Sequence, residues 1–199
     1  MQRLVIGMSG ATGVAYGIRL LEVLRETDIE THLVMSKWAQ QTLEHETDRT
    51  VADVRALADH AYAPGDMGAA ISSGSFETMG MTVVPCSMRT LGAIAHGFGD
   101  TLVHRAADVI LKERRRLVVV PRETPLGEVH LENMLKLTRM GVVVLPPMPA
   151  FYNRPQTIAD MVDHLVARLC DQFGIATDLA ERWEGEMRRE GGVVKLLPE

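Results

Sequence analysis

Five short apolar runs recur along the chain without polar alternation: Leu4 to Met8, Thr31 to Met35, Met81 to Pro85, Leu117 to Pro121 and Val142 to Pro146. Each has strand length, and continuous apolarity marks a strand buried on both faces. The stretches between them have helical spacing: Val14 to Arg25, Trp38 to His45, Val51 to His60, Thr90 to Ala95, Leu102 to Arg116, Leu131 to Met140 and Ile158 to Phe173. In the last, Ile158, Met161, Val162, Leu165, Val166 and Leu169 share one face. Strand alternating with helix predicts an α/β fold, a three-layer doubly wound parallel sheet of flavodoxin-like or Rossmann-like kind, with ligands at the carboxyl ends of the strands.

The 199 residues suit one domain, read as residues 1–185, with a tail at 186–199 of charge, glycine and weak periodicity. A net charge of −5 argues against wholesale nucleic-acid binding, which needs a broadly basic face. The first apolar run is too short for a secretory segment or a membrane span, and no later one spans a bilayer. Cys86 and Cys170 lie far apart in apolar surroundings, as reduced thiols of a cytoplasmic protein do. The seven histidines are scattered, with no H-x-x-x-H or Cys/His group, so no metal site is expected.

Gly7 to Gly13 follows a strand and opens a helix, where unpaired backbone amides and the positive dipole end hold phosphate. Its G-x-x-G-x-x-G spacing is not the dinucleotide fingerprint, and no Walker lysine follows. A tight strand-to-helix turn explains such a loop equally well. Pro85-Cys86-Ser87-Met88-Arg89-Thr90 and Met35-Ser36-Lys37 repeat the pattern of strand end, hydroxyl and helix. In this fold class the three converge on one crevice, although three ordinary N-caps would read the same way.

Cations concentrate between residues 89 and 122, where Arg105 and Lys112 share one helix face and Arg114 to Arg116 run round its end. Arg122 and Glu123 follow the fourth run: an arginine there can hold phosphate and a glutamate can move protons, and a surface ion pair is the plain alternative. Tyr152 follows a proline-rich turn and fits either packing or ligand contact.

Taken together, Ser9 to Gly13, Ser36-Lys37, Glu46 to Asp48, Ser72 to Ser75, Pro85 to Ser87, Arg105 to Asp108, Leu111 to Arg114, Pro121 to Glu123 and Pro149 to Tyr152 resemble the UbiX-type flavin prenyltransferase family. The match runs from about residue 2 to residue 185, and the blocks fall in the family's order. Ser36-Lys37-Trp38 and Met148 to Asn153 resemble its branch linked to aromatic-acid decarboxylation.

The resemblance implies a cytoplasmic homododecamer that joins a dimethylallyl group from dimethylallyl monophosphate to reduced FMN, at N5 and then C6, without metal. The product is prenylated FMN, the cofactor of UbiD-type decarboxylases. It implies FMN contacts at Gly10, Ala11, Thr12, Ser36, Ser87, Met88, Arg89, Thr90 and Arg105. It places Lys112, Arg122, Glu123, Tyr152 and Arg168 around the prenyl phosphate, with Ser73 in the adjacent loop and Glu46 as a further catalytic carboxylate. Trp183 is an aromatic candidate for stabilising an allylic cation. Two positions depart from the family: Thr12 stands where many members have Ser, and Met67 where some have an aromatic residue. The competing readings are an FMN-dependent cysteine-type decarboxylase, whose P-A-S-A-N-T segment is replaced here by Pro85 to Thr90, and a non-catalytic FMN carrier subunit.

Overall fold

The computed structural model describes residues 2–182, 186–189 and 192–195. Strands β1 (Gln2–Met8), β2 (Ile29–Met35), β3 (His60–Tyr62), β4 (Gly80–Cys86), β5 (Arg116–Pro121) and β6 (Val143–Val144) form a parallel sheet in the order β3-β2-β1-β4-β5-β6. This is the doubly wound order, and its direction reverses between β1 and β4. The helices are α1 (Val14–Leu24), α2 (Lys37–Glu46), α3 (Val51–Arg55), α4 (Met88–His96), α5 (Leu102–Lys112), α6 (Glu128–Arg139) and α7 (Ile158–Asp171).

Strand periodicity sorts the core into two. Leu4, Ile6 and Met8 of β1 face a cluster built with α1, α2, α3 and α7. Val5 faces the other, built with α4, α5 and α6. The expected three-layer fold is therefore present. Close packing explains one glycine: a Cβ on Gly17 of α1 would lie 2.7 Å from the Val84 carbonyl oxygen of β4.

Helix starts follow short polar side chains. Ser36, Thr50, Ser87 and Thr157 each accept the amide hydrogen three residues on, which satisfies a donor that the helix leaves open. Several ends differ from the sequence expectation. The helix expected to reach Arg116 stops at Lys112, because Arg114 turns left-handed at φ 57° and the Arg115 guanidinium donates to the Phe76 and Gly74 carbonyls at 2.7 and 2.8 Å. The helix expected to reach His60 stops at Arg55. Asp59 instead accepts from the Thr31 amide and hydroxyl, both at 2.8 Å, and aligns His60 to Tyr62 as an edge strand on β2. Strand β6 is short: after the Leu145 amide donates to Val119, Pro146 and Pro147 have no amide to continue the ladder.

In the tail, β7 (Glu186–Arg189) and β8 (Gly192–Lys195) pair antiparallel in a two-stranded sheet of their own. Trp183 lies outside the described residues. Among those residues no helix is long and apolar enough to cross a membrane.

Candidate functional site

The carboxyl ends of β1 and β4 are joined by one side chain. Ser9, 1% exposed, donates its hydroxyl to the Pro85 carbonyl at 3.1 Å and accepts the Ser87 amide at 2.8 Å. Its own amide donates to the same carbonyl at 3.1 Å, and the Ser36 amide donates to Met8 at 2.9 Å. The three strand ends that sequence spacing brought together are thus bonded to one another, at the point where strand order reverses.

Beside them lies a cavity of about 650 Å³, within the usual size for a small-molecule site. Gly10, Ser36, Ser87, Arg89 and Thr90 line it, all expected from the sequence. Ser36 and Ser87 also cap their helices, with Ser87 accepting the Thr90 amide at 3.3 Å and donating to the Thr90 hydroxyl at 3.2 Å. Trp38, 67% exposed and named in the sequence only within the aromatic-acid branch motif, also lines it, as do His104 and Asp100 near the start of α5, which were not singled out. The signal for Trp38 was available, since it is a large aromatic in the first turn after the Ser36 cap. Burial, opposed by Asp100 and assisted by Arg89, moves the His104 imidazole below its ordinary pKa and favours the neutral ring.

The α1 terminus carries its own anion. Glu46, at the end of α2, accepts the Gly13 amide at 2.9 Å and the Val14 amide at 3.1 Å on one carboxylate oxygen. Gly13 permits this by adopting φ 101°, where a side chain would be strained. An arriving phosphate must therefore displace Glu46 or use the loop before Gly13, where Ala11 and Thr12 lie.

The remaining candidates form separate groups. Met88 packs on the α5-side core. Arg105 donates to the Ser72 carbonyl at 3.2 Å and to Asp108 at 2.8 Å, which places it over the loop holding Ser73, whose hydroxyl meets Ser75 at 2.9 Å. Lys112 pairs with Glu113 beside Gly74. Eight residues of helix separate Lys112 from His104 in the cavity wall, about 12 Å at helical rise. Arg122 follows β5, and its amide donates to Cys86 at 3.1 Å, next to Ser87; Glu123 accepts the Thr124 amide at 3.0 Å. Tyr152 bonds His164 of α7 at 2.8 Å, and Arg168, one turn on, pairs with Asp171 at 2.9 Å. The adjacent Cys86 thiol is fully buried and its pKa is pushed up, which suits packing and not nucleophilic chemistry.

A family model described as Flavoprotein matches residues 1–170. A protein of Streptomyces sp. (strain D7) named "Probable UbiX-like flavin prenyltransferase" is 62% identical over 184 residues, covering 92% of each chain. The crystal structure of a dodecameric FMN-dependent UbiX-like decarboxylase from Escherichia coli O157:H7 superposes with a TM-score of 0.91 at 59% identity, covering 92% of this chain and 100% of that one. The structure of AnUbiX (PadA1) in complex with FMN and dimethylallyl pyrophosphate does so at 0.91 and 55%, covering 92% and 98%. The FMN-dependent cysteine decarboxylase TvaF, at 0.60 and 19%, covering 72% and 89%, shares the fold alone.

Proposed function

Because the chain belongs to the UbiX-like flavin prenyltransferases, we propose that it transfers a dimethylallyl group from dimethylallyl monophosphate to reduced FMN, at N5 and then C6, without metal. The product, prenylated FMN, serves a UbiD-type decarboxylase. The observation that carries this reading is the cavity at the strand-order reversal, lined by the hydroxyl residues Ser36, Ser87 and Thr90, by Arg89 and by the aromatic Trp38. These residues fit FMN: the ring offers an apolar face, while Ser36, Ser87, Arg89 and Thr90 offer polar partners. Residues 1–185 act as the flavin-binding unit and 186–199 as an appended tail.

In the transfer, the allylic C–O bond breaks, its electron pair leaves with the phosphate, the allylic carbon bonds to flavin N5 and the N5 proton passes to the departing phosphate. Arg122 and Lys112 stabilise the charge that grows on the phosphate, with Tyr152, Arg168 and Ser73 holding it. For ring closure the departed phosphate returns a proton to the prenyl double bond, C6 bonds to the tertiary cation so formed, and Glu123 accepts the proton that C6 loses. Lys112 lies about 12 Å along α5 from His104 of its own chain, so in this reading it serves the crevice of a neighbouring copy. That agrees with a homo-oligomer, probed below, of the dodecameric kind described for the Escherichia coli relative.

Purified protein incubated anaerobically with reduced FMN and dimethylallyl monophosphate, in chelator, should yield flavin heavier by one prenyl unit in mass spectrometry. If neither the monophosphate nor the diphosphate adds the group, the reading fails.

A further inference from the structure

Away from the crevice, on the edge of the sheet, the register sets three ligand-type side chains against each other. Glu30 and His32 are two apart on β2 and so share a face, and His60 of β3 pairs with His32 across the ladder. One carboxylate oxygen, Glu30 Oε1, lies 3.0 Å from His32 Nε2 and 3.2 Å from His60 Nε2, and one donor atom from each residue falls within 4.8 Å of the others. Donors around a tetrahedral zinc ion, bound at roughly 2.0–2.1 Å, stand about 3.3 Å apart.

The surroundings hold Glu30 and His32 in place, while exposed His60, whose ring stacks on His32 with centroids 4.7 Å apart and planes at 17°, has room to turn its Nε2 toward a shared ion. The Tyr62 hydroxyl lies 2.9 Å from His32 Nδ1, which leaves Nε2 as the nitrogen for a metal when Nδ1 carries the proton. Arg3 donates to the other Glu30 oxygen at 3.3 Å, fixing the carboxylate, and stacks over the Phe76 ring at 4.7 Å. Phe76 also meets His32 edge-on, so the inner side is walled by aromatic rings and His32 is 2% exposed. His60 is exposed and leaves a path from solvent.

We propose that Glu30, His32 and His60 form a binding site for a divalent transition metal of the zinc type, with water in the fourth position. From His32 to the carboxyl end of β2 at Met35 is three residues, about 10 Å, so the ion would brace the β2–β3 edge and take no part in prenyl transfer. Spacing along the chain concealed the group: His60 is brought in by strand pairing, and Glu-x-His resembles no helical metal signature.

The alternative is a plain hydrogen-bonded cluster in which both imidazoles donate to Glu30. Metal-stripped protein titrated with zinc chloride separates the two. The expected result is about one zinc per chain at micromolar metal, visible absorption of tetrahedral type with cobalt chloride, and loss of both in His60→Gln, whose site is on the surface. Tyr62→Phe, which removes only the support behind His32, should weaken zinc binding by about 10–100-fold. Absence of zinc uptake by the unsubstituted protein, or uptake and cobalt spectra unchanged in both variants, overturns the proposal.

Discussion

Glu46 and Glu123 show how two carboxylates of one chain come to different work. Glu46 rests on the amides of Gly13 and Val14, where the positive end of a helix stabilises its charge. Glu123 accepts the amide of the next residue and stands exposed just after β5, near the Ser87 side of the crevice. In the proposed reaction it has a proton to accept and no share in flavin affinity. Glu123→Gln should therefore retain FMN through purification while prenyl transfer slows by roughly 10²–10⁴-fold, read from flavin mass against time. Loss of flavin from that variant would show that the two ligands are not held by separate groups of residues.

Among the elements, α7 carries a titratable cap. The Gln156 amide and the Thr157 hydroxyl and amide all support the charged form of Asp160, so its pKa is lowered. A carboxylate with a lowered folded pKa contributes stability that is complete above its unfolded value, and the contribution disappears as pH falls through the folded value. Unfolding midpoints measured from pH ~7 down to pH ~3 should therefore fall less steeply in Asp160→Asn than in the unsubstituted protein across that acid window. Parallel slopes would remove the cap from the acid response. The helix was legible in the sequence from Ile158 on, as were the long central strands, because local spacing and burial on two faces determine them; its cap was not singled out. Edge strand β3 was not: it is three residues long, carries His60 and Tyr62, and owes its conformation to Asp59 gripping Thr31 on β2. For the site, Gly10, Ser36, Ser87, Arg89 and Thr90 were legible because each sits at a strand-to-helix junction. Asp100 and His104 reach the same cavity from α5, through packing that no local pattern records.

At the scale of the whole molecule, large apolar side chains remain uncovered on the single chain: Phe98, Met148, Phe151 and Ile158. Patches of this kind are the ordinary material of subunit contacts. If Lys112 serves a neighbouring copy's crevice while Glu123 serves its own, Lys112→Ala and Glu123→Gln should each be strongly slowed alone. Co-expressed as mixed oligomers they should recover part of the prenylation rate, because some crevices then hold both native residues. No recovery would place both side chains in the same chain's site. The Ser9 bonds bear on how such an assembly admits its ligands. With its hydroxyl and amide bonded to the β4 end, Ser9 acts as a hinge pin that keeps the ends of β1 and β4 together beside the crevice. Exchange of flavin should therefore respond more to changes at the helix ends, where largely exposed Trp38 lines the cavity, than to changes in the sheet.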